Sequence, residues 1–596
     1  MMIGHISESD YRDKIYGGWM GKNIGGTLGG PLEGRKELMA YDFYPKLGEL
    51  PLPNDDLDLQ LVWLHALETY GPRLTAAEIA QEWQDHVFFP YDEYGYSLTN
   101  MRRGMTPPVS GWYSNPFTHC MGSPIRSEIW AMIAPDNPQL AAYYAYQDAI
   151  TDHAGGEGVY GEMLFAAIES AAFVESDPQK LLAIGLSVIP PDCRTAKAVK
   201  DTVRWHAEGL DWIETRNQII AAHGRINFTD APQNIAFTIL GLLYGTDFGD
   251  AICKAVNCGY DTDCTGATLG AILGIIMGAD QLPQEWITPI GDTIVVSPPV
   301  KGFPAPKTVA ELTERTVQTG AEVAAFWEGK PIPELSALWN ETPHQDRLFL
   351  PSRFSPSLEV VVDYGTDGPV VFAGQEKKLE VQLTNHASIR WYGALQFHLP
   401  PGWTGGQTQS YALEPGTREH FVVILHPGGD PQPDFRVEME ITRLHNDALW
   451  QSFGRQLVFA QAMRWRVEGP NTAPKEVLCA TNEISLTNGA DGLYRLTTDL
   501  LCPSEREAKL MISTTSPVKA WLNSQLVFDN WKPGRGIPAY HRGQGAFVHL
   551  TAGQNPIVIE VEKQPKEPLQ LHVACVAPRQ VSEPGSMFAY LDVMFL

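Results

Sequence analysis

The chain has 596 residues, of which 44% are hydrophobic. A single core stops growing near ~250–300 residues, so two or three domains are expected. Asp and Glu total 70 against 44 Lys and Arg, a formal net charge of -26. That balance argues against a nucleic-acid partner, because phosphate recognition needs clustered cations.

The opening residues, MMIGHISESDYRDKIYGG, lack a basic segment followed by an apolar run, so no secretory leader is expected. The segment GKNIGGTLGG (21–30) lacks the order of a phosphate-binding loop and follows no strand. It reads instead as a stretch that allows close helix packing and a tight turn. From Tyr11 to about Gly329 the periodicity is helical. Leu57, Leu61, Leu64 and Leu67 fall on one face of LDLQLVWLHALETYG (57–71), and AAEIAQEWQDHVF (76–88) follows with Thr75 as its N-cap. GEMLFAAIESAAFVES (161–176) and DPQKLLAIGLSVI (177–189) are the next helices, the latter stopped by Pro190-Pro191. CRTAKAVKDTVRWHAEG, WIETRNQIIAAHG, NIAFTILGLLYG and FGDAICKAVNCG continue the series. The longest apolar run, Thr265–Ala279, is shorter than the ~20 residues of a membrane span and reads as a buried helix.

Past Pro343-His344 the pattern changes to alternation, as in LEVVVDYG (358–365), KLEVQLTNH (378–386) and DFRVEMEITRL (434–444), with turns rich in Gly, Pro and Asn between. The chain therefore reads as an all-α domain over 1–345, a β-sandwich over 346–468 and a second, jelly-roll-like all-β module over 469–596. In the last module VKAWLNSQLVFDN gives two strands about an Asn523-Ser524 turn, and Gly553 and Asn555 lead into PIVIEVEK. This order resembles modules attached to carbohydrate-active enzymes, which bind sugars or simply pack; a structural role is expected here. The eight cysteines form no C-x-x-C pair, which suits free thiols in a reducing cytoplasm.

Two acidic clusters stand out. In LPNDDLDLQ, Asn54 is placed to cap the following helix, with Asp55 and Asp56 in its first turn; an ordinary capped helix start reads the same way. In GYDTDCTGATLGAILG, Asp261 and Asp263 precede an almost wholly apolar helix, so both carboxylates are expected at a buried or cleft position. There they repel each other and lose solvation, and a cation removes both costs. Oxygen ligands of this kind suit Mg²⁺, Mn²⁺ or Ca²⁺, and the absence of a His/Cys cluster with zinc spacing argues against zinc in that position.

Four segments together resemble the ADP-ribosylglycohydrolase family, which includes the dinitrogenase-reductase-activating glycohydrolases. They are YRDKIYGGWMGKNIGGTLGGPLEG (11–34), PNDDLDLQ (53–60), DAITDHAGGEGVYGEMLFAA (148–167) and GYDTDCTGA (259–267), with HCMGSPIRSEIWAMIAP (119–135) between the second and the third. The resemblance implies an all-α fold with one or two Mg²⁺ ions, Mn²⁺ or Ca²⁺ being alternatives. It implies hydrolysis at the anomeric carbon of an ADP-ribosyl group. It places Asn54, Asp55, Asp56, Asp261 and Asp263 as metal ligands; because Cys264 stands where the family has a Thr, Thr265 or a water is expected to take that ligand's place. Glu33, Asp55 and Asp56 then carry the catalysis, and His153, Tyr260 and Tyr160 line the substrate, with His119 and Arg126 nearby.

The chain departs from the family's pattern at several of these positions. Asn54 replaces Ser or Thr, Leu57 replaces Thr, Tyr260 replaces Gly and Cys264 replaces Thr, while Gly26 stands where many members carry Asp. The resulting expectation is a metal-dependent glycohydrolase of small-molecule ADP-ribosyl or related ribosyl compounds, with neither nucleic acid nor membrane as partner. Two alternatives remain: a glycosidase acting on a small non-nucleotide furanoside, and a non-catalytic metal-dependent binder of sugars or nucleotides.

Overall fold

The structure is a computed structural model and describes residues 2–3, 6–48, 52–352, 355–486, 489–534, 536–578 and 587–596. The chain divides into two compact units, Met1–Phe89 with Phe117–Glu341, and Pro90–Pro116 with Thr342–Leu596. Among the described residues no helix is long and apolar enough to cross a membrane.

The first unit is helical. It opens with α1 (Glu8–Gly29), α2 (Asp55–Tyr70) and α3 (Ala76–His86). The chain then leaves for the other unit through α4 (Asp92–Arg103) and α5 (Val109–Trp112). It returns with α6 (Glu128–Met132), α7 (Pro138–Ala149), α8 (Glu157–Ala171), α9 (Pro178–Ser187), α10 (Arg194–Ala207) and α11 (Trp212–His223). It closes with α12 (Ala231–Tyr244), α13 (Phe248–Asn257), α14 (Thr262–Met277), α15 (Gln284–Ile287), α16 (Val309–Trp327) and α17 (Leu335–Leu338). Local chemistry sets the helix starts. Thr75 accepts a bond from the Ala77 amide and shares a reciprocal capping box with Glu78, as expected from its place before α3.

The contact that organises this unit is α1 against α14. A side chain at Gly25 would place its Cβ 1.9 Å from the carbonyl oxygen of Gly266, one at Gly21 2.0 Å from that of Gly270, and one at Gly17 2.4 Å from that of Gly274. At the end of the ladder Gly29 meets the Thr262 carbonyl at 2.2 Å in the same sense. The two helices therefore touch backbone to backbone in antiparallel sense, which glycines four residues apart permit and any other residue blocks. The Thr262 hydroxyl donates to the Gly29 carbonyl at 2.8 Å and pins the N-terminus of α14 to the C-terminus of α1.

The second unit holds two pairs of sheets. In the first pair, one sheet runs Gln345–Ser352, Ser355–Asp363, Lys377–Asn385, Arg418–His426, Thr404–Gly405. The facing sheet runs Val370–Val371, Ala448–Gln461, Asp434–His445, Trp391–His398, Gln409–Leu413. Pairing is antiparallel except where Val370–Val371 joins Ala448–Gln461. Alternate residues such as Leu379, Val381 and Leu383 on one sheet and Val437, Met439 and Ile441 on the other form the core. Met105, Val109 and Tyr113 belong to the same core, so the stretch carrying α4 and α5, which lies inside 1–345, packs with the β region.

The second pair begins at Met463. Its Val518–Leu522 and Gln525–Asn530 strands form a hairpin whose Asn523 and Ser524 both take positive φ, the two-residue turn read from the sequence. Asn555 is fully buried; its amide oxygen accepts from the Thr551 amide and hydroxyl, and its NH₂ donates to the Thr551 carbonyl. That is a structural role.

Candidate functional site

The α1–α14 ladder delivers the N-terminus of α14 to one place, and the start of α2 arrives at the same place. Asn54 caps α2, its side-chain oxygen accepting the Asp56 amide at 2.8 Å. A Cβ at Gly26 would lie 2.1 Å from the Asn54 Nδ2, so Asn54 occupies space that a side chain at 26 would fill.

Asp56 is fully buried, Asp261 and Asp263 are buried, and Asp55 is half-buried. The Cys264 thiol donates to Asp56 Oδ1 at 3.6 Å, which ties the two helix starts together across 208 residues of sequence. Asp261, Asp263 and Cys264 bring one ligand atom each to within 4.8 Å of one another. Among the described residues Asp56 Oδ2 and Asp263 Oδ1 are buried without a hydrogen-bond partner. Burial pushes the Asp56 and Asp261 carboxyls well above the usual carboxylate range. The Asp263 charge adds to both, while the Lys22 ammonium partly offsets the shift at Asp56. Asp263 is raised as well, by burial. Three buried carboxyls, two of them with an oxygen that lacks a partner among the described residues, are costly as a bare cluster. Oxygen donors of this number suit a hard divalent ion, and the thiol of Cys264 is the one soft donor among them.

Behind the cluster lies a buried polar layer that the sequence reading passed over. The Lys22 ammonium donates to Glu128 Oε1 at 2.7 Å and to the Ile125 carbonyl at 2.8 Å. Gln60 donates to Glu128 Oε2 at 2.6 Å and accepts the Ile129 amide at 2.7 Å. Burial alone would depress Lys22, but Glu128 and Asp56 hold it above its ordinary value. The only signal in the sequence was a lone cation inside a run of small residues, GKNIGG.

The remaining expected residues are distributed around this centre. Glu33 is exposed at the end of the Gly30–Leu32 turn that follows α1, close enough for its charge to act on Asp261. Tyr260 takes φ +69, a left-handed backbone that a bulky residue rarely adopts. Its amide donates to the Arg35 carbonyl at 2.5 Å and its carbonyl accepts from Gly34 at 2.8 Å, which fastens the loop bearing Glu33 beside Asp261. The Tyr260 ring turns into an apolar cluster against Phe237, centroids 5.7 Å apart, and is 8% exposed. Thr265 donates its hydroxyl to the Thr262 carbonyl within α14.

His153 is fully buried with Nδ1 3.0 Å from Asp152 Oδ1. Arg126, also fully buried, grips Asp152 through two nitrogens at 2.7 and 2.9 Å and Asp148 at 2.9 Å. Burial works against ionisation of Asp152, but Arg126 and His153 outweigh it and hold the carboxyl at about 2. Tyr160 is half-buried beside Cys193 and Glu157, and the His119 Nδ1 accepts the Glu157 amide at 3.0 Å. Asp58, the third acid of the first cluster, points elsewhere: it accepts the Ser297 amide through both oxygens at 3.2 Å, and burial pushes it up to about 7.

The model of the ADP-ribosylglycohydrolase family matches residues 7–321, more than half of the chain, and the protein belongs to that family. Membership supports a glycohydrolase function. A solved structure described as an ADP-ribosylglycohydrolase-related protein complex is similar at 19% identity over 53% of this chain and 99% of that one, with a TM-score of 0.37. The α-xylosidase of Xanthomonas citri (8% identity, 42% of this chain, 37% of that one, TM-score 0.15) is also similar. So is the α-L-rhamnosidase of Streptomyces avermitilis (11%, 39%, 23%, 0.13). Likenesses at these TM-scores say nothing about activity. No curated protein matches the chain in sequence.

Proposed function

We propose that the helical unit is a divalent-metal-dependent glycohydrolase that cleaves the bond at the anomeric carbon of an ADP-ribosyl or related ribosyl substrate. One observation carries this reading: acids from two remote helix starts share a buried position in which Asp56 Oδ2 and Asp263 Oδ1 lack partners among the described residues. Asp56, Asp261 and Asp263, with Asn54 and Asp55 beside them, would hold Mg²⁺. A bound ion of this kind would supply Lewis acidity for orienting a ribose diol and for making water more acidic.

The chain's own groups divide the remaining work. Asp55, half-buried at the first turn of α2, is assigned a role toward the substrate. Glu33, exposed and held beside Asp261 by the backbone bonds of Tyr260 to Gly34 and Arg35, takes the proton of the attacking water at its carboxylate. The water oxygen bonds to the anomeric carbon as the glycosidic bond breaks, and the proton taken up by Glu33 passes to the leaving atom, which returns Glu33 to its carboxylate form. The Lys22–Glu128–Gln60 layer holds the buried end of α2 in place through the Gln60 bond to the Asp56 carbonyl at 3.1 Å.

The test is release of ADP-ribose from ADP-ribosyl-arginine by the full chain, with Mg²⁺, with chelator, and in Asp263→Asn and Glu33→Gln. Mg²⁺-dependent turnover that both substitutions abolish is the expected result. Turnover unaffected by chelator would overturn the metal requirement. Turnover confined to small furanosides would move the reading to a non-nucleotide sugar.

A further inference from the structure

Away from the acid cluster, α2 and α3 bring together a second set of ligating side chains that the proposed function does not use. His65 lies on α2, and Glu82 and His86 lie four residues apart on one face of α3. His65 Nδ1 stands 2.8 Å and His86 Nε2 3.6 Å from the same oxygen, Glu82 Oε2. Their ligand atoms fall within 4.8 Å of one another. The Glu82 side chain is 2% exposed and the imidazoles 19% and 13%. The rings cross at 89° with centroids 5.1 Å apart, and Phe303 packs on both, at 5.5 and 5.4 Å.

We infer that His65, Glu82 and His86 form a binding site for one transition-metal ion of the zinc class, which staples α2, α3 and the 301–303 segment together. The outer hydrogen bonds argue for it first. The His86 Nδ1 lies 3.0 Å from the Lys301 carbonyl, which only accepts, so Nδ1 carries the hydrogen. In the neutral ring Nε2 then presents a lone pair toward a carboxylate, an arrangement that a cation makes favourable. The His65 Nε2 is 3.4 Å from the Thr69 hydroxyl, which is able to accept its hydrogen and leave Nδ1 for the ion. A ligating histidine whose other nitrogen donates to a carbonyl or hydroxyl is the usual outer arrangement of a metal site.

The spacing argues for it as well. Ligand atoms ~2.0–2.1 Å from a tetrahedral zinc lie about 3.3 Å from one another. The two distances to Glu82 Oε2 bracket that value. Two imidazoles and one carboxylate select zinc-like ions over Mg²⁺, with a fourth position left for water. Gly302, at φ +93, lets the backbone pass the His86 ring, where a Cβ would lie 3.0 Å from Nδ1. The same strip of chain is held to the start of α2 by the Asp58–Ser297 bonds, so the ion would close the far end of a clamp along that helix.

The experiment uses the full chain, stripped with chelator and returned to excess Mg²⁺. It is titrated with Zn²⁺ by calorimetry and with Co²⁺ by visible absorption, in parallel with melting curves. Wild type is expected to bind one equivalent of Zn²⁺ with a rise in Tm, and to give the intense bands of tetrahedral Co²⁺. His65→Gln/His86→Gln loses that equivalent, the bands and the Tm rise, whereas Asp56→Asn/Asp263→Asn keeps all three. Glu82→Gln, which keeps a hydrogen-bonding side chain, weakens Zn²⁺ by more than the about 10–100-fold that loss of an outer partner costs. Unchanged stoichiometry and bands in the folded histidine variant, or Co²⁺ bands with thiolate charge-transfer character lost in Cys264→Ser, would overturn the assignment.

Discussion

Gly25→Ala puts the helix ladder to a quantitative test. The added methyl would lie 1.9 Å from the Gly266 oxygen, 2.2 Å from its carbonyl carbon and 2.6 Å from the Ala267 nitrogen. Ordinary contact is about 3.5 Å, so α1 and α14 must part by roughly 1.5 Å at this crossing. All three neighbours are backbone, which has no rotamer by which to escape. Alanine gains up to about 1 kcal/mol in helix propensity over glycine. Overpacking costs about 1–3 kcal/mol or more, and a rigid neighbour puts the cost at the upper end. The expected balance is a loss of about 2 kcal/mol from the helical unit, read as a fall in its calorimetric transition. Mg²⁺ binding weakens in parallel, because α14 carries Asp261 and Asp263. Gly30→Ala is the control: its Cβ meets only Leu52 Cδ1, at 3.9 Å, and stability should hold or rise. Equal stability of Gly25→Ala and wild type, with unchanged Mg²⁺ affinity, would refute the reasoning.

Three further outcomes are expected. In chelator, Asp263→Asn should melt above wild type, since one of three crowded carboxylates is gone. The gain reads as about 2–4 °C per kcal/mol recovered, and Mg²⁺ should no longer raise its Tm. Cys264→Thr replaces the one soft donor of the cluster by a hard oxygen. The Mg²⁺ concentration for half-maximal turnover should fall by about 10-fold, measured by metal titration of activity. Burial lowers His572 from 6.5 to about 4, so the ring is neutral in the fold and charged in the unfolded chain through that window. Its contribution to the β unit is full above pH ~6.5 and lost as pH falls toward 4, about 3 kcal/mol in all. Urea denaturation near pH 7 and near pH 4 should show that loss in wild type and not in His572→Gln.

Periodicity carried the helices well because their buried faces are apolar: the leucines of 57–67 lie in α2, and Thr75 caps α3 as its position suggested. The acid cluster was legible too, since a carboxylate pair before an apolar helix has few ways to be paid for. The grouping of 90–116 with the β region was hidden, because α4 and α5 are helical like their sequence neighbours and few residues of the stretch, Met105, Val109, Trp112 and Tyr113 among them, reach the sandwich core. Lys22, Gln60 and Glu128 were hidden for another reason. Each lies on a different element, and only the tertiary fold makes them one layer. The same holds for His65 and His86, which lie on separate helices with no spacing that would mark a ligand pair. Tyr260 shows the limit in reverse: its position beside the acids was readable, but not that a left-handed backbone would turn its ring into the apolar cluster.

The glycine ladder also sets an order of assembly. α1 holds six glycines among 22 residues, each costing about 1 kcal/mol of helix propensity, so little of it is helical by itself. The surface that compensates is α14, which does not exist until residue 277 has been synthesised. During translation the first helix of the chain therefore waits for one of the last helices of its unit. The cation-binding acids come together only at that closure, so the capacity to bind the ion is a late event in folding, and one set by a long-range contact rather than a local one.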